Sequence, residues 1–175
     1  DGTAFGATFA GPTLTDASGW ADHSNGGTIR FGDVDGDGDE DLCARANAGM
    51  ICWLYDADAF LERFDTALLA DAEGWNDPRY YTTIDLADVD GDAKADLCAR
   101  AGTGIQCWPS DGATFGAAIV GPAWSDAAGW DDPVHDGTIR LSGAYQAPLH
   151  PGPTDSADPT DPGAAPGPGD GPPVS

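Results

Sequence analysis

The residues best placed to do chemistry are the aspartates of Asp33-Val34-Asp35-Gly36-Asp37-Gly38-Asp39-Glu40-Asp41-Leu42. Carboxylates stand at alternate positions, and glycines between them let the chain turn. A hard cation such as calcium takes roughly six to eight oxygens, which a loop supplies from alternate side chains and a backbone carbonyl. The side chains of Asp33, Asp35, Asp37 and Asp41 are expected to converge on such an ion, with the carbonyl of Asp39 as a fifth protein oxygen. Without a cation, so many carboxylates in one loop repel one another. The competing reading, an acidic surface turn that binds nothing, loses ground to a second copy. Asp88-Val89-Asp90-Gly91-Asp92-Ala93-Lys94-Ala95-Asp96-Leu97 carries carboxylates at the same spacing, 55 residues on.

That offset runs through the chain. Trp20, Trp75 and Trp130 obey it, as do Phe5, Phe60 and Phe115, and Ile29, Ile84 and Ile139. Cys43 and Cys52 return as Cys98 and Cys107. Self-similarity of this kind marks a repeat architecture. The expected organisation is repeat 1 at 1–55, repeat 2 at 56–110, a partial repeat 3 at 111–147 and a tail at 148–175. The third repeat keeps Phe115, Trp130 and Thr138-Ile139-Arg140, but Gly143 and Tyr145 replace the first two loop aspartates.

The elements that must position the loops read as strands. Thr28-Ile29-Arg30-Phe31 and Thr83-Ile84-Asp85-Leu86 alternate polar and apolar residues and deliver the chain into each Asp loop. Leu42-Cys43-Ala44-Arg45 leaves the first loop and turns back as Ile51-Cys52-Trp53-Leu54-Tyr55. Pairing Cys43 with Cys52 puts Asn47-Ala48 at the turn. The same pairing in repeat 2 puts Gly102-Thr103 there, which suits a type II′ hairpin. Cysteines directly opposite in a non-hydrogen-bonded pair are close enough to bridge, so disulfides Cys43–Cys52 and Cys98–Cys107 are expected. Two pairs of buried thiols are the alternative. Zinc fits poorly, because the spacing is Cys-x8-Cys rather than Cys-x2-Cys. Asp77-Pro78 and Asp132-Pro133 read as turns. The segment from Asp58 to Leu69 fits a helical turn by spacing, but its register with Phe5 assigns it to strand and loop.

Thirty acidic residues against 7 basic ones give a net charge of −23. This argues against nucleic acid, whose phosphates need clustered Lys and Arg, and against anionic lipid. No apolar run reaches the length of a membrane span. The chain opens at Asp1 without Met, which reads as a processed protein or a fragment. Paired cysteines point to an oxidising, extracellular or cell-surface setting. From Pro148 the chain turns to Pro, Gly, Asp and Thr, a composition that builds no core and favours an extended form. Thr154, Ser156 and Thr160 in this tail are candidate O-glycosylation positions.

Phe5-Gly6 with Gly11-Pro12, Phe115-Gly116 with Gly121-Pro122, and the two Asp loops followed by Asp41-Leu42 and Asp96-Leu97 together resemble the FG-GAP repeat. This repeat, also called the VCBS-type repeat, builds the β-propellers of alpha-integrin-like proteins. The resemblance covers about residues 1–145. It implies an all-β fold of four-stranded blades, each with calcium in the loop between two strands. It assigns one site to Asp33, Asp35, Asp37, Asp39 and Asp41. The other falls to Asp88, Asp90, Asp92, Lys94 and Asp96, with Asp39 and Lys94 acting through their carbonyls. Ala93 stands where the first loop has Gly38, which strains the second loop. Propellers usually close with about four to eight blades, and this chain carries two full repeats and part of a third. An incomplete ring leaves sheet edges open, and open edges recruit other chains.

The sequence has no G-x-S-x-G, H-E-x-x-H or P-loop pattern, and its closely paired carboxylates are largely assigned to the cation loops, so no enzyme is expected. The leading expectation is an extracellular calcium-binding structural or adhesive repeat protein that assembles with copies of itself as a ring or filament. The alternative is a carbohydrate-binding, lectin-like propeller fragment, in which Trp20, Trp75 and Trp130 stack on glycans. Some propellers of this resemblance bind glycans between blades. Packing between neighbouring repeats is the plainer role for these tryptophans.

Overall fold

The computed structural model describes residues 10–141. The chain divides into two units, Asp1–Tyr145 and Gln146–Ser175, and every described residue lies in the first. The tail positions Thr154, Ser156 and Thr160 therefore fall outside the described residues, as does the strand expected at Phe5.

The fold is all-β, built on two four-stranded antiparallel sheets. In the first, β1 (Arg30–Gly32), β2 (Asp41–Ala46), β3 (Gly49–Asp56) and β4 (Ala59–Asp65) pair in chain order. In the second, β5 (Asp85–Ala87), β6 (Asp96–Ala101), β7 (Gly104–Trp108) and β8 (Ile119–Val120) do the same. Each Asp loop joins the first two strands of its sheet. The segment from Asp58 contributes β4, as its register requires. Each sheet thus takes its fourth strand from beyond the boundary at residue 55 or 110, and the structural unit is offset from the sequence repeat as first phased.

Cys43 pairs directly with Cys52, and Cys98 with Cys107. Both pairs are disulfides, with Cα atoms 4.1 Å apart. The hairpin turns fall at 47–48 and 102–103, as the pairing demands. The type II′ geometry expected at Gly102 is absent; positive φ falls instead on Gly104, at 132°. Gly102 serves another need. A Cβ there would stand 3.1 Å from the Tyr80 hydroxyl and 3.4 Å from an Asp126 oxygen.

Short helices that the sequence reading did not expect lead into β1 and β5: α1 (His23–Gly26) and α2 (Pro78–Tyr81). A third, α3 (Pro133–Asp136), occupies the matching place in the last repeat. Asp22, Asp77 and Asp132 cap them, each accepting a backbone N–H two residues on at 2.8–3.0 Å. Proline at the first helical position suits this role, since its missing N–H is not needed there. The Asp-Pro steps are therefore helix starts rather than simple turns.

One core cluster runs through both sheets and includes Val34, Leu69, Trp75, Ile84, Leu97 and Phe115. Burying each such side chain contributes about 1.5–3 kcal/mol. The sheets join where Ala95 N–H donates to the Asp33 carbonyl (2.6 Å) and the Ser110 hydroxyl donates to the Val34 carbonyl (2.7 Å). Phe64 of β4 meets Phe115 edge to face, with ring centres 5.5 Å apart. Among the described residues the two sheets do not close a ring, and no helix is long and apolar enough to cross a membrane.

Candidate metal loops and an aromatic platform

Each Asp loop is wound by its own carboxylates. Asp33 accepts from Gly36 N–H (2.7 Å) and Gly38 N–H (3.0 Å). Asp35 accepts from Asp37 N–H, and Asp37 from Asp39 N–H. The second loop repeats the pattern, with Asp88 accepting from Gly91 N–H (2.7 Å) and Ala93 N–H (3.2 Å). Ala93 has φ 76°, matching Gly38 at 97°. A side chain thus holds a left-handed conformation there, at a cost glycine avoids.

Carboxylate oxygens of Asp33, Asp35 and Asp37 lie within 4.8 Å of one another, and so do those of Asp88, Asp90 and Asp96. Oxygens around one hard cation, each about 2.3–2.6 Å from its centre, lie no more than about 5 Å apart. The spacing and the all-oxygen donor set therefore fit such an ion. Asp41 stands outside the first trio. It is fully buried, and its two oxygens accept from Val34 N–H and Tyr55 N–H, both at 2.8 Å. Asp96 accepts likewise from Val89 N–H and Ser110 N–H, both at 2.9 Å. These two residues tie each loop to its sheet. Burial pushes Asp41 up to about 6 and raises Asp96 as well. Burial also raises Asp35, with the carboxylates of Asp37 and Asp33 adding to it. Lys94 binds the Asp92 carboxylate at 2.7 Å and lowers its pKa. Asp92 lies outside the second trio.

The repeated tryptophans part company. Trp75 is buried against Trp108 and Tyr80 and offers no face to a ligand. Trp20 is half-buried, 6.1 Å from Trp53. Among the described residues Trp130 has no such strand tryptophan beside it. It stacks instead on Trp124, with ring centres 4.4 Å apart and planes within 9°. Trp124 is 36% exposed, and His135 lies 5.6 Å from Trp130. Arg79 sits 3.8 Å from Asp131 and 3.7 Å from Asp126. Two parallel indoles thus stand with an imidazole near one of them, and Asp131, next to Trp130 in the chain, pairs with Arg79.

Two buried arginines position these loops. Arg45 donates to the carbonyls of Ser24 (2.7 Å) and Leu69 (2.9 Å), to the Asn25 side chain, and to Asp71. Arg100 binds Asp126 at 2.6 Å and the Arg79 carbonyl at 3.1 Å. The Tyr80 hydroxyl also donates to Asp126, at 2.7 Å. Arg100 and then Tyr80 hold Asp126 below the usual carboxylate range. Each arginine ties its own sheet to the loop that opens the next repeat. Sequence reasoning passed over Arg45, Arg100, Asp71, Asp126 and Trp124. The 55-residue offset between Arg45 and Arg100, and between Asp71 and Asp126, was the signal available.

No family model and no curated protein matches the chain. Among solved structures it is similar to an Agrocybe aegerita lectin, described for its specific recognition of non-reducing terminal N-acetylglucosamine. The TM-score is 0.52 at 21% identity, covering 58% of this chain and 26% of the lectin's. The chain spans about a quarter of that lectin's length. The likeness is one of fold.

Proposed function

We propose that this chain is a carbohydrate-binding repeat protein of the extracellular space, with blades of the FG-GAP or VCBS type in a propeller-like arrangement. The observation that carries the reading is the partly exposed Trp124–Trp130 stack, with His135 near Trp130 and an Arg79–Asp131 pair at the next residue of the chain. A sugar ring presents an apolar face and a rim of hydroxyls. Parallel indoles take the face, and fixed polar groups orient the rim. Arg79 donates to sugar oxygens, and Asp131 accepts from hydroxyls. The fold likeness to a lectin of N-acetylglucosamine supports the reading and puts that sugar first among ligands to try.

Calcium is the cation we propose for the two loops. Asp33, Asp35 and Asp37 would hold one ion, and Asp88, Asp90 and Asp96 the other. When bound, the ion neutralises the carboxylates and pins the loop; it takes part in no reaction. The disulfides suit an oxidising compartment, and secretion is part of the proposal. The reading assigns binding without catalysis.

A second reading, a structural module that assembles with other copies, draws on the open edge at β8, where Ile119 is 49% and Val120 82% exposed. Retention on resins bearing N-acetylglucosamine, galactose or mannose separates the two. The sugar reading expects retention on at least one resin and its loss in Trp124→Ala. No retention on any sugar, with the protein folded and calcium present, would overturn it.

A further inference from the structure

One position of the repeat stands on the wall of a single cavity three times over. Arg30, Asp85 and Arg140 lie 55 residues apart, and all three line a cavity of about 270 Å³. Thr82 adds a hydroxyl, and Ile139 and Leu141 give the cavity an apolar side. Arg30 and Asp85 come from β1 and β5, the edge strands of their sheets. The sheets pack through their faces instead, with each other in the core and with Ile139 and Leu141 beside Cys98 and Cys107. A further repeat on either side would stack on a face and leave this edge as it stands.

The two arginines are fixed alike. One terminal nitrogen of Arg30 donates to the carbonyls of Gly27 (3.3 Å) and Ile29 (2.9 Å). One of Arg140 donates to those of Gly137 and Ile139. A guanidinium held in this way loses little freedom on gripping an oxyanion. Six of the seven basic residues pair with a carboxylate. Arg140 has no such partner among the described residues, in a chain with 30 acidic residues. Its Nε and second terminal nitrogen form the fork that binds a carboxylate or sulfate through two oxygens. Asp85 works in the opposite sense. One of its oxygens lies 3.5 Å from Arg30 Nε and accepts from Leu86 N–H; the other is without a hydrogen-bond donor among the described residues. A bare dianion meets repulsion there, whereas a hydroxyl meets an acceptor.

We propose that this cavity binds a small hydroxylated anion: a sugar ring bearing a carboxylate or a sulfate. Arg140 and Arg30 grip the charged group, and Asp85 and Thr82 accept from the hydroxyls. The volume lies just under the roughly 300–1,000 Å³ of drug-sized sites, which suits one ring. Neither Trp124 nor Trp130 lines the cavity, so the proposal does not rest on the aromatic platform.

The Nε–H signals of the arginines in an NMR titration test this on the full chain in calcium. Sodium glucuronate and N-acetylglucosamine 6-sulfate are the two probes, with glucose and sodium sulfate as controls. At least one probe should shift Arg30 and Arg140 in a saturable way, and the one that does so tells carboxylate from sulfate. Both controls should bind at least about tenfold more weakly. Arg140→Gln should weaken the responding probe at least about tenfold, the scale of one hydrogen bond to a charged group, while Trp124→Ala leaves it unchanged. Asp85→Asn is the second variant, and should bind inorganic sulfate more tightly than wild type does. Four results would overturn the proposal: no shift of Arg30 or Arg140 with either probe, inorganic sulfate bound as tightly as the probe, full affinity in an Arg140→Gln protein that melts as wild type does, or no gain for sulfate in Asp85→Asn.

Discussion

Replacing Arg45 with methionine tests how the sheets hold the neighbouring loops. The guanidinium is fully buried and uses all three nitrogens: Nε on Leu69, one terminal nitrogen on Ser24 and Asn25, the other on Asp71. Methionine keeps much of the apolar stem but takes a donor from two backbone carbonyls, the Asn25 amide oxygen and a carboxylate. Removing one partner of a buried ion pair costs about 3–5 kcal/mol, because the remaining charge stays uncompensated. Asp71 is one-third exposed, and water can reach it, so the lower end of that range applies. In a domain of roughly this size each kcal/mol moves the melting point by about 2–4 °C, so Arg45→Met should melt about 6–12 °C lower. Arg100 provides the internal comparison. Its Nε has no partner among the described residues, so Arg100→Met should cost less than Arg45→Met. Denaturant unfolding followed by tryptophan fluorescence measures both. A double-mutant cycle with Asp71→Asn should show coupling above about 0.5 kcal/mol. A loss under about 1 kcal/mol for Arg45→Met, or a larger loss for Arg100→Met, would refute the reasoning.

Other perturbations separate the platform from the core. Trp75→Ala removes a buried indole and should cost about 3–5 kcal/mol by chemical denaturation, whereas Trp124→Ala should leave the melting point within a few degrees. Opening the Cys98–Cys107 bridge by paired alanine substitution should cost about 2–3 kcal/mol, from a loop closed over a separation of 9 residues; unchanged stability would remove the bridge from the account. Asp126 has its pKa lowered in the folded state. Its contribution is therefore present above the unfolded value of 3.8 and is lost as pH falls through the folded value. Melting in chelator should drop along that acid limb, and Asp126→Asn should flatten it. Asp35→Ala or Asp90→Ala should lower the melting point with calcium present and much less with chelator; equal shifts in both would count against an ion in the loops.

The repeat was legible because it is written in residue identity at a fixed offset. The hairpins followed from placing Cys43 opposite Cys52, and the fourth strand from the register of Phe60 with Phe5. The short helices escaped, because four residues carry no apolar period. Their mark was chemical: an aspartate cap before proline, at Asp77-Pro78 and Asp132-Pro133. The spacing put Asp33, Asp35 and Asp37 together, and Asp88 and Asp90, but did not show the place of Asp41 or Asp92 outside these clusters. The Asp41 oxygens face Val34 and Tyr55, and only the fold shows that an aspartate of the motif anchors the loop to the sheet. The aromatic platform was half visible. Trp130 obeys the offset, whereas Trp124 replaces Leu14 and Leu69 and becomes notable only once it is found stacked on Trp130.

The claim that matters most is that a sugar lies on Trp124 and Trp130. The chain has six tryptophans, so its indole N–H groups give a short, assignable set of NMR signals. Titration with an oligosaccharide ending in N-acetylglucosamine, in calcium, reads them all at once. The account predicts that Trp124 and Trp130 move in a saturable way while the buried Trp75 and Trp108 stay fixed. Movement of Trp75 and Trp108 with Trp124 and Trp130 unchanged, or no movement at any sugar concentration, would contradict it.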